Sequence, residues 1–329
     1  MLRPLFSLLS PSGSKGRLSI FIFHRVLPAP DPIFPGEIDA RRFDAICGWV
    51  SSWFNVLPLD EAVRRLRSAA LPARAASITF DDGYADNHDQ ALPILRRHGL
   101  SATFFIATGF LGGGRMFNDS VIETLRRAPG PSLDFGALGL DSVGRLELNS
   151  PDDRRRAIAA ILRAIKYRPM AERHDLARRI QMLVGIERLP DNLMMTPEQV
   201  RALHRAGMRI GAHTRSHPIL ANLDRDAARV EIEGGRDDLQ QLLGEPATLF
   251  AYPNGKPGED YSRESVELAR AAGFEAAVST TWGVATAGSD LFQLPRFTPW
   301  DRQRWRFAAR LARNIAQPDG KPGQHILVP

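Results

Sequence analysis

Short apolar runs recur along this chain, and most are followed by a stretch of helical periodicity. The runs occupy 18–23, 76–80, 102–107, 208–212, 248–252, 275–279 and 291–296. Helical patterns lie between them at 60–68, 88–97, 196–206, 224–243 and 262–272. A strand followed by a helix and another strand predicts parallel pairing, because parallel neighbours need a long crossover. Helix boundaries carry chemical signatures. Thr196, Pro197 and Gln199 form a capping-box pattern, Ser262 opens the last pattern, and Gly99, Gly207 and Gly273 close theirs.

The alternation breaks over 108–207. Gly112, Gly113 and Gly114, then Pro129, Gly130 and Pro131, mark loops there, and 151–166 and 170–184 read as two amphipathic helices. The expected organisation is an N-terminal segment (1–17), one α/β domain (18–310) with a helical insertion at about 110–195, and a C-terminal tail (311–329). Because the insertion follows a strand C-terminus, it is expected to brace or wall the rim where parallel α/β sheets place their sites.

Composition excludes several classes. With 43% apolar and 24% charged residues over 329 positions, a packed core is expected and disorder is not. The single cysteine, Cys47, rules out a disulfide framework or a cysteine-rich zinc module. The net charge is +6, and only four of the 43 cationic side chains are lysines. The arginines are spread over most helices without interleaved aromatics, so no nucleic-acid partner is expected. No apolar run approaches the roughly 20 residues of a membrane span. Residues 1–10 are broken by Pro4 and lack a small-residue cleavage site, so no signal peptide is read and a cytoplasmic location is expected. That segment is expected to pack on the domain, with a membrane-surface helix as the alternative.

Polar residues stand at four predicted strand ends. Asp81 and Asp82 follow the second run directly, with Gly83 permitting a sharp turn that aims both acids at the strand's end. Adjacent carboxylates repel, so a cation or a shared proton is needed. His213 and His217 follow the fourth run, and two imidazoles with one carboxylate suit a divalent metal with positions left for water. Tyr252, Pro253, Asn254 and Gly255 turn the chain after the fifth run and free backbone N–H groups for an oxyanion. His24 ends the first run and Arg296 lies on the last, which adjoins the first in a closed barrel.

Taken in order, residues 79–83, 213–218 and 252–255 resemble the polysaccharide deacetylase family, the NodB homology domain of carbohydrate esterase family four. The resemblance spans about residues 18–300. It implies a distorted (β/α)7 barrel and metal-dependent removal of N-acetyl groups from amino sugars. It implies Asp81 as general base and Asp82, His213 and His217 as ligands of one divalent ion, zinc first, with cobalt or nickel as replacements. The Asn254 N–H is the implied oxyanion donor, within the turn of Tyr252 and Pro253. Two positions depart from the family pattern. Ala251 stands where the family has an arginine that orients the base, and Arg296 is expected to reach Asp81 instead. The family's late Leu-x-His segment has no match: His325 has the wrong setting, and His24 is the candidate acid.

His88, His98, His174 and His204 read as surface residues. Trp282, Trp300 and Trp305 read equally as a sugar groove or as core. The expected partner is an acetylated glycan or a nucleotide- or lipid-linked precursor, and the oligomeric state is not legible. Rival readings are a non-sugar amide hydrolase, a non-catalytic sugar-binding relative, and a non-haem iron oxygenase. The parallel pattern and the second aspartate argue against the last.

Overall fold

Helices and strands alternate in the computed structural model, which describes residues 2–140 and 142–317. In chain order they are α1 (Arg3–Leu9), β1 (Ser19–Phe23), α2 (Ala40–Trp53), β2 (Asn55–Val56), α3 (Leu59–Arg67), β3 (Ala75–Phe80), α4 (Leu92–Arg97), β4 (Thr103–Ile106), α5 (Phe117–Arg127), β5 (Ser132–Asp134), β6 (Arg145–Glu147), α6 (Pro151–Ile165), α7 (Met170–Val184), α8 (Pro197–Arg205), β7 (Arg209–Ala212), α9 (Arg225–Leu243), β8 (Leu249–Ala251), α10 (Arg263–Ala271), β9 (Ala276–Val278) and α11 (Arg304–Ala316). The main sheet runs β1-β3-β4-β7-β8-β9 with every neighbouring pair parallel, and β2 lies beside the first residues of β3.

The expected seventh strand, 291–296, is corrected to an irregular segment. It sits between β9 and β1 but touches them through isolated bridges, Val278 to Leu294 and Phe21 to Phe297. Pro295 has no N–H to donate, so this run cannot make a continuous ladder. The fold is α/β, a distorted barrel whose curled parallel sheet is closed on its last side by single bridges.

Register brings the strand ends level. Phe23 pairs with Phe80, Phe80 with Phe104, Ile106 with Ala212, and Ala212 with Phe250. His24, Asp81, His213 and the turn after Ala251 therefore leave the sheet on one rim. Side-chain alternation divides the core. Phe21, Phe23, Ile78, Phe80, Phe104 and Ile106 pack in one cluster with α2 and α4. Ile20, Phe105, Leu249, Val278 and Leu294 share a second cluster with Leu59, Val63 and Leu66 of α3. The matching positions on β3 are polar: Ser77 and Thr79 are fully buried there.

The insertion has a core of its own. Val121 and Leu125 of α5, Ile158 and Ile161 of α6, and Leu176 and Ile180 of α7 form it, with Ile33 and Phe34 from the loop after β1. It also contains the antiparallel hairpin β5–β6. At the N-terminus, Phe6 of α1 is buried against Trp53 and Phe54, so this segment packs on the domain. The tail expected from 311 begins inside α11, where Leu311 and Ile315 are fully buried. Residues 318–329, including His325, lie outside the described residues. No described helix is long and apolar enough to cross a membrane.

Candidate active site

The turn after β3 separates the two aspartates. The Gly83 N–H donates to the Asp81 carbonyl at 3.0 Å across Asp82, whose φ is 77°. A three-residue turn with a positive central φ is the rarer, strained form. It places consecutive carboxylates in different surroundings.

Asp81 meets Arg296. Both guanidinium ends donate to it, Nη1 to Oδ1 and Nη2 to Oδ2 at 2.7 Å each. Arg296 is 0% exposed, and its plane is fixed further by Nε donating to the Ser279 carbonyl at 2.8 Å and Nη1 to Thr79 Oγ1 at 3.2 Å. The polar position on β3 thus serves the arginine. Burial opposes ionisation of Asp81, but Arg296 outweighs it and holds the carboxyl below its ordinary range.

Asp82 meets the histidines. Its Oδ1 lies 3.3 Å from His213 Nε2 and 3.4 Å from His217 Nε2. His213 Nδ1 lies 2.7 Å from the Ala251 carbonyl, which can only accept, so Nδ1 carries a proton and the ring, when neutral, turns its Nε2 lone pair toward Asp82. One donor atom from each of Asp82, His213 and His217 falls within 4.8 Å of the others. Asp82 Oδ1 is buried with no hydrogen-bond partner among the described residues. Converging lone pairs around an orphaned carboxylate oxygen suit a cation. Burial opposes the Asp82 charge, yet contact with His213 and the charge of His217 hold its carboxyl well below the usual range. Burial likewise opposes the His213 imidazolium, but Asp82 and Asp81 raise that ring above its ordinary value. His217, less well compensated, is pushed down by burial to about 4.

The histidine loop is held from behind. Glu231 of α9 accepts from the Arg215 N–H (3.0 Å), the Ser216 N–H (2.9 Å) and the Ser216 hydroxyl (2.6 Å). A Cβ at Gly235 would stand 2.7 Å from the Thr214 carbonyl oxygen, so the helix approaches the loop as closely as glycine permits. Thr214 and His217 both have positive φ, 62° and 53°.

His24 lies on the same rim, partly exposed, within electrostatic reach of Asp81, Asp82 and His217. Its carbonyl accepts from Asn87 Nδ2 at 2.8 Å, while Asp86 takes the Val26 N–H and the Arg25 guanidinium. The turn at Pro253 and Asn254 repeats the strained form: Asn254 has φ 59°, and the Gly255 N–H donates to the Pro253 carbonyl. No described residue accepts the Asn254 N–H. The Tyr252 ring is buried and stacked on Tyr261, ring centres 3.9 Å apart, so Tyr252 brings only its backbone to the rim.

A family model described as polysaccharide deacetylase matches residues 68–129 and 168–277, more than half of the chain. The chain belongs to this family. The YxkH protein of Bacillus subtilis (strain 168) is 20% identical over 282 residues, covering 85% of this chain and 70% of that relative. Among solved structures, the Streptococcus pyogenes deacetylase PplD in complex with acetate is 18% identical with a TM-score of 0.58, covering 91% of this chain and 98% of its own. IcaB from Ammonifex degensii, also 18% identical, has a TM-score of 0.56 and covers 93% and 98%. Those two likenesses bear on the fold.

Within this polysaccharide deacetylase fold, sequence reasoning missed Glu231, Asp86 and Asn87, which hold the site without entering it. The pair Gly234-Gly235 inside a helix was a readable sign of close approach. Trp282 and Trp300 stand together, ring centres 5.1 Å apart, around the Arg310 guanidinium at 5.0 and 4.3 Å, and Trp305 is 64% exposed. His88, His98 and His204 pair with Asp89, Asp44 and Glu245.

Proposed function

We propose that this chain is a metal-dependent hydrolase removing N-acetyl groups from the amino sugars of a polysaccharide or its precursor. The observation that carries the reading is the sorting of two adjacent carboxylates, Asp81 onto a buried guanidinium and Asp82 onto two histidines with an oxygen left unpaired. A divalent ion held by Asp82, His213 and His217 would polarise the acetamide carbonyl and lower the pKa of a water molecule. Zinc suits the set: two imidazole nitrogens, 3.3 and 3.4 Å from a carboxylate oxygen, are donors of the kind that would share one such ion.

Asp81, ionised and oriented by Arg296, takes the proton of the attacking water. The Asn254 N–H donates to the oxyanion that develops on the acetamide oxygen. His24 donates a proton to the departing amine, because an unprotonated amine is a poor leaving group. Arg296 takes the role that Ala251 cannot fill, which answers one of the two reasons, beside the unmatched Leu-x-His segment, to read the chain as a non-catalytic relative.

Acetate release should be measured on acetylated oligosaccharides and lipid-linked sugar precursors, with chelator and with added zinc, cobalt or nickel. Turnover should need the metal. Asp81→Asn should lose about 10²–10⁴-fold in kcat while keeping its metal. His213→Ala should lose stoichiometric metal. Full activity in chelator, or equal metal content in wild type and His213→Ala, would overturn the reading.

A further inference from the structure

Two arginines are deeply buried among the described residues. Arg296 is 0% exposed and sits on Asp81, whereas Arg173 is 5% exposed and sits on no carboxylate. Its Nε is shut off from solvent without a partner, and its guanidinium makes no hydrogen bond to any described residue. The plane stacks over the Phe117 ring, 4.6 Å from its centre, so the fork is held in place although nothing accepts from it. A buried cation without a counter-charge is costly to keep.

Arg173 opens onto a cleft between the insertion and the metal-ligand loop, lined also by Phe117, Asn118, Met170, Ser216 and His217. It lies in the first turns of α7, whose N-cap, Pro169, offers no side-chain acceptor, so the helix end adds to the positive field. Burial lowers the Arg173 guanidinium, and burial together with the Arg173 charge lowers His174 beside it. The cleft has an accessible volume of about 10 Å³, room for one water-sized group such as a single anionic oxygen and not for a sugar ring.

Building on the deacetylase reading above, we propose that Arg173 is an anion subsite beside His217, and that the glycan presents a carboxylate or phosphate substituent to it next to the acetamido group under attack. The guanidinium fork accepts either group through paired charge-assisted hydrogen bonds, and the bound anion supplies the missing counter-charge. The subsite selects among acetylated glycans and takes no part in the chemistry.

The test compares acetate release from chitotetraose, a hyaluronan tetrasaccharide and N-acetylglucosamine 1-phosphate by the metal-loaded wild type, Arg173→Gln and Arg173→Lys. Wild type should prefer the carboxylated or the phosphorylated compound over the neutral one, and the preferred compound names the anion. Arg173→Gln should raise KM for that compound at least tenfold more than for chitotetraose, with partial recovery in Arg173→Lys. Equal losses on all three compounds, or no wild-type preference, would mean that Arg173 only packs against Phe117. If no compound is deacetylated, the reaction assignment fails separately. Calorimetric titration with glucuronate and inorganic phosphate then decides: binding lost in Arg173→Gln supports the subsite, and equal or absent binding overturns it.

Discussion

Removing the Arg296 guanidinium would leave Asp81 buried beside two histidines with no cation of its own. Breaking one side of a buried ion pair costs about 3–5 kcal/mol, most of it from the charge left behind. Arg296→Ala should therefore unfold at markedly lower urea concentration, and adding Asp81→Asn to it should recover part of the loss. A double variant no more stable than Arg296→Ala would show that the pair is not the source. The partnership was legible in the sequence only because Ala251 created a vacancy and Arg296 stood at the end of an adjoining run. Residue types and spacing placed Asp82, His213 and His217 on one rim. They did not place Glu231, because an acid on an exposed helical pattern looks like any solvated glutamate until the loop folds over it. Strand alternation continues one residue past Ala251 and turns the Tyr252 ring into the core, which leaves only its backbone at the rim.

At the scale of elements, α9 and the histidine loop meet where helix propensity is sacrificed. Two consecutive glycines weaken a helix by about 1 kcal/mol each relative to alanine. The sacrifice is explained by Gly235, where a Cβ would meet Thr214 backbone atoms at 2.7 and 2.8 Å. Backbone cannot step aside as a side chain can. Gly235→Ala should gain helix propensity and still lose about 1–3 kcal/mol through overpacking, with weaker metal binding because the displaced loop carries both histidines. A melting temperature at or above wild type, with unchanged metal affinity, would refute the close-approach account. Helices with strong caps were legible: Thr196 and Gln199 close a capping box, as do Ser262 and Ser265. Helix α2 has a buried stripe of Phe43, Cys47, Val50 and Trp53, but Gly48 and β-branched or aromatic neighbours dilute its signal. Helix α5 begins with Asn118, Asp119 and Ser120, all better suited to turns than to helix interiors.

The whole molecule is a curled sheet and an inserted helical unit, joined at the rim through few polar contacts. One is buried: the Tyr84 hydroxyl, beside the aspartate turn, donates to Asp119 of α5 at 3.1 Å, with Arg25 over the Tyr84 ring. Burial raises the Asp119 carboxyl from 3.8 to about 7, with Asp82 and Glu123 pushing the same way against Arg25 and the Tyr84 hydroxyl. The fold therefore favours the neutral acid. Its contribution to stability is complete below the unfolded value of 3.8, falls as pH rises toward about 7, and is constant above. Asp119→Asn keeps an acceptor for Tyr84 without a charge to bury. Its unfolding free energy, measured in chelator, should gain on wild type between those two pH values by on the order of 2–4 kcal/mol. Parallel pH curves would reject the assignment. The break in the strand–helix alternation was visible in the sequence, because periodicity is a property of the chain. The joint was not, because Asp119 and Tyr84 are ordinary residues until packing excludes water from both.

The positive φ angles of Asp82 and His217 also bear on how this protein would respond to artificial selection. L-residues with side chains give up about 1–2 kcal/mol in that region, and glycine gives up almost nothing. In a substitution library heated without metal and ranked only by survival, glycine should rise at both positions. At Asn254, with φ 59°, the group offered is a backbone N–H that glycine also carries. A library sorted for turnover would purge glycine from 82 and 217 and leave it unremarked at 254, so the two rankings would agree at one bend of the rim and oppose each other at the other two.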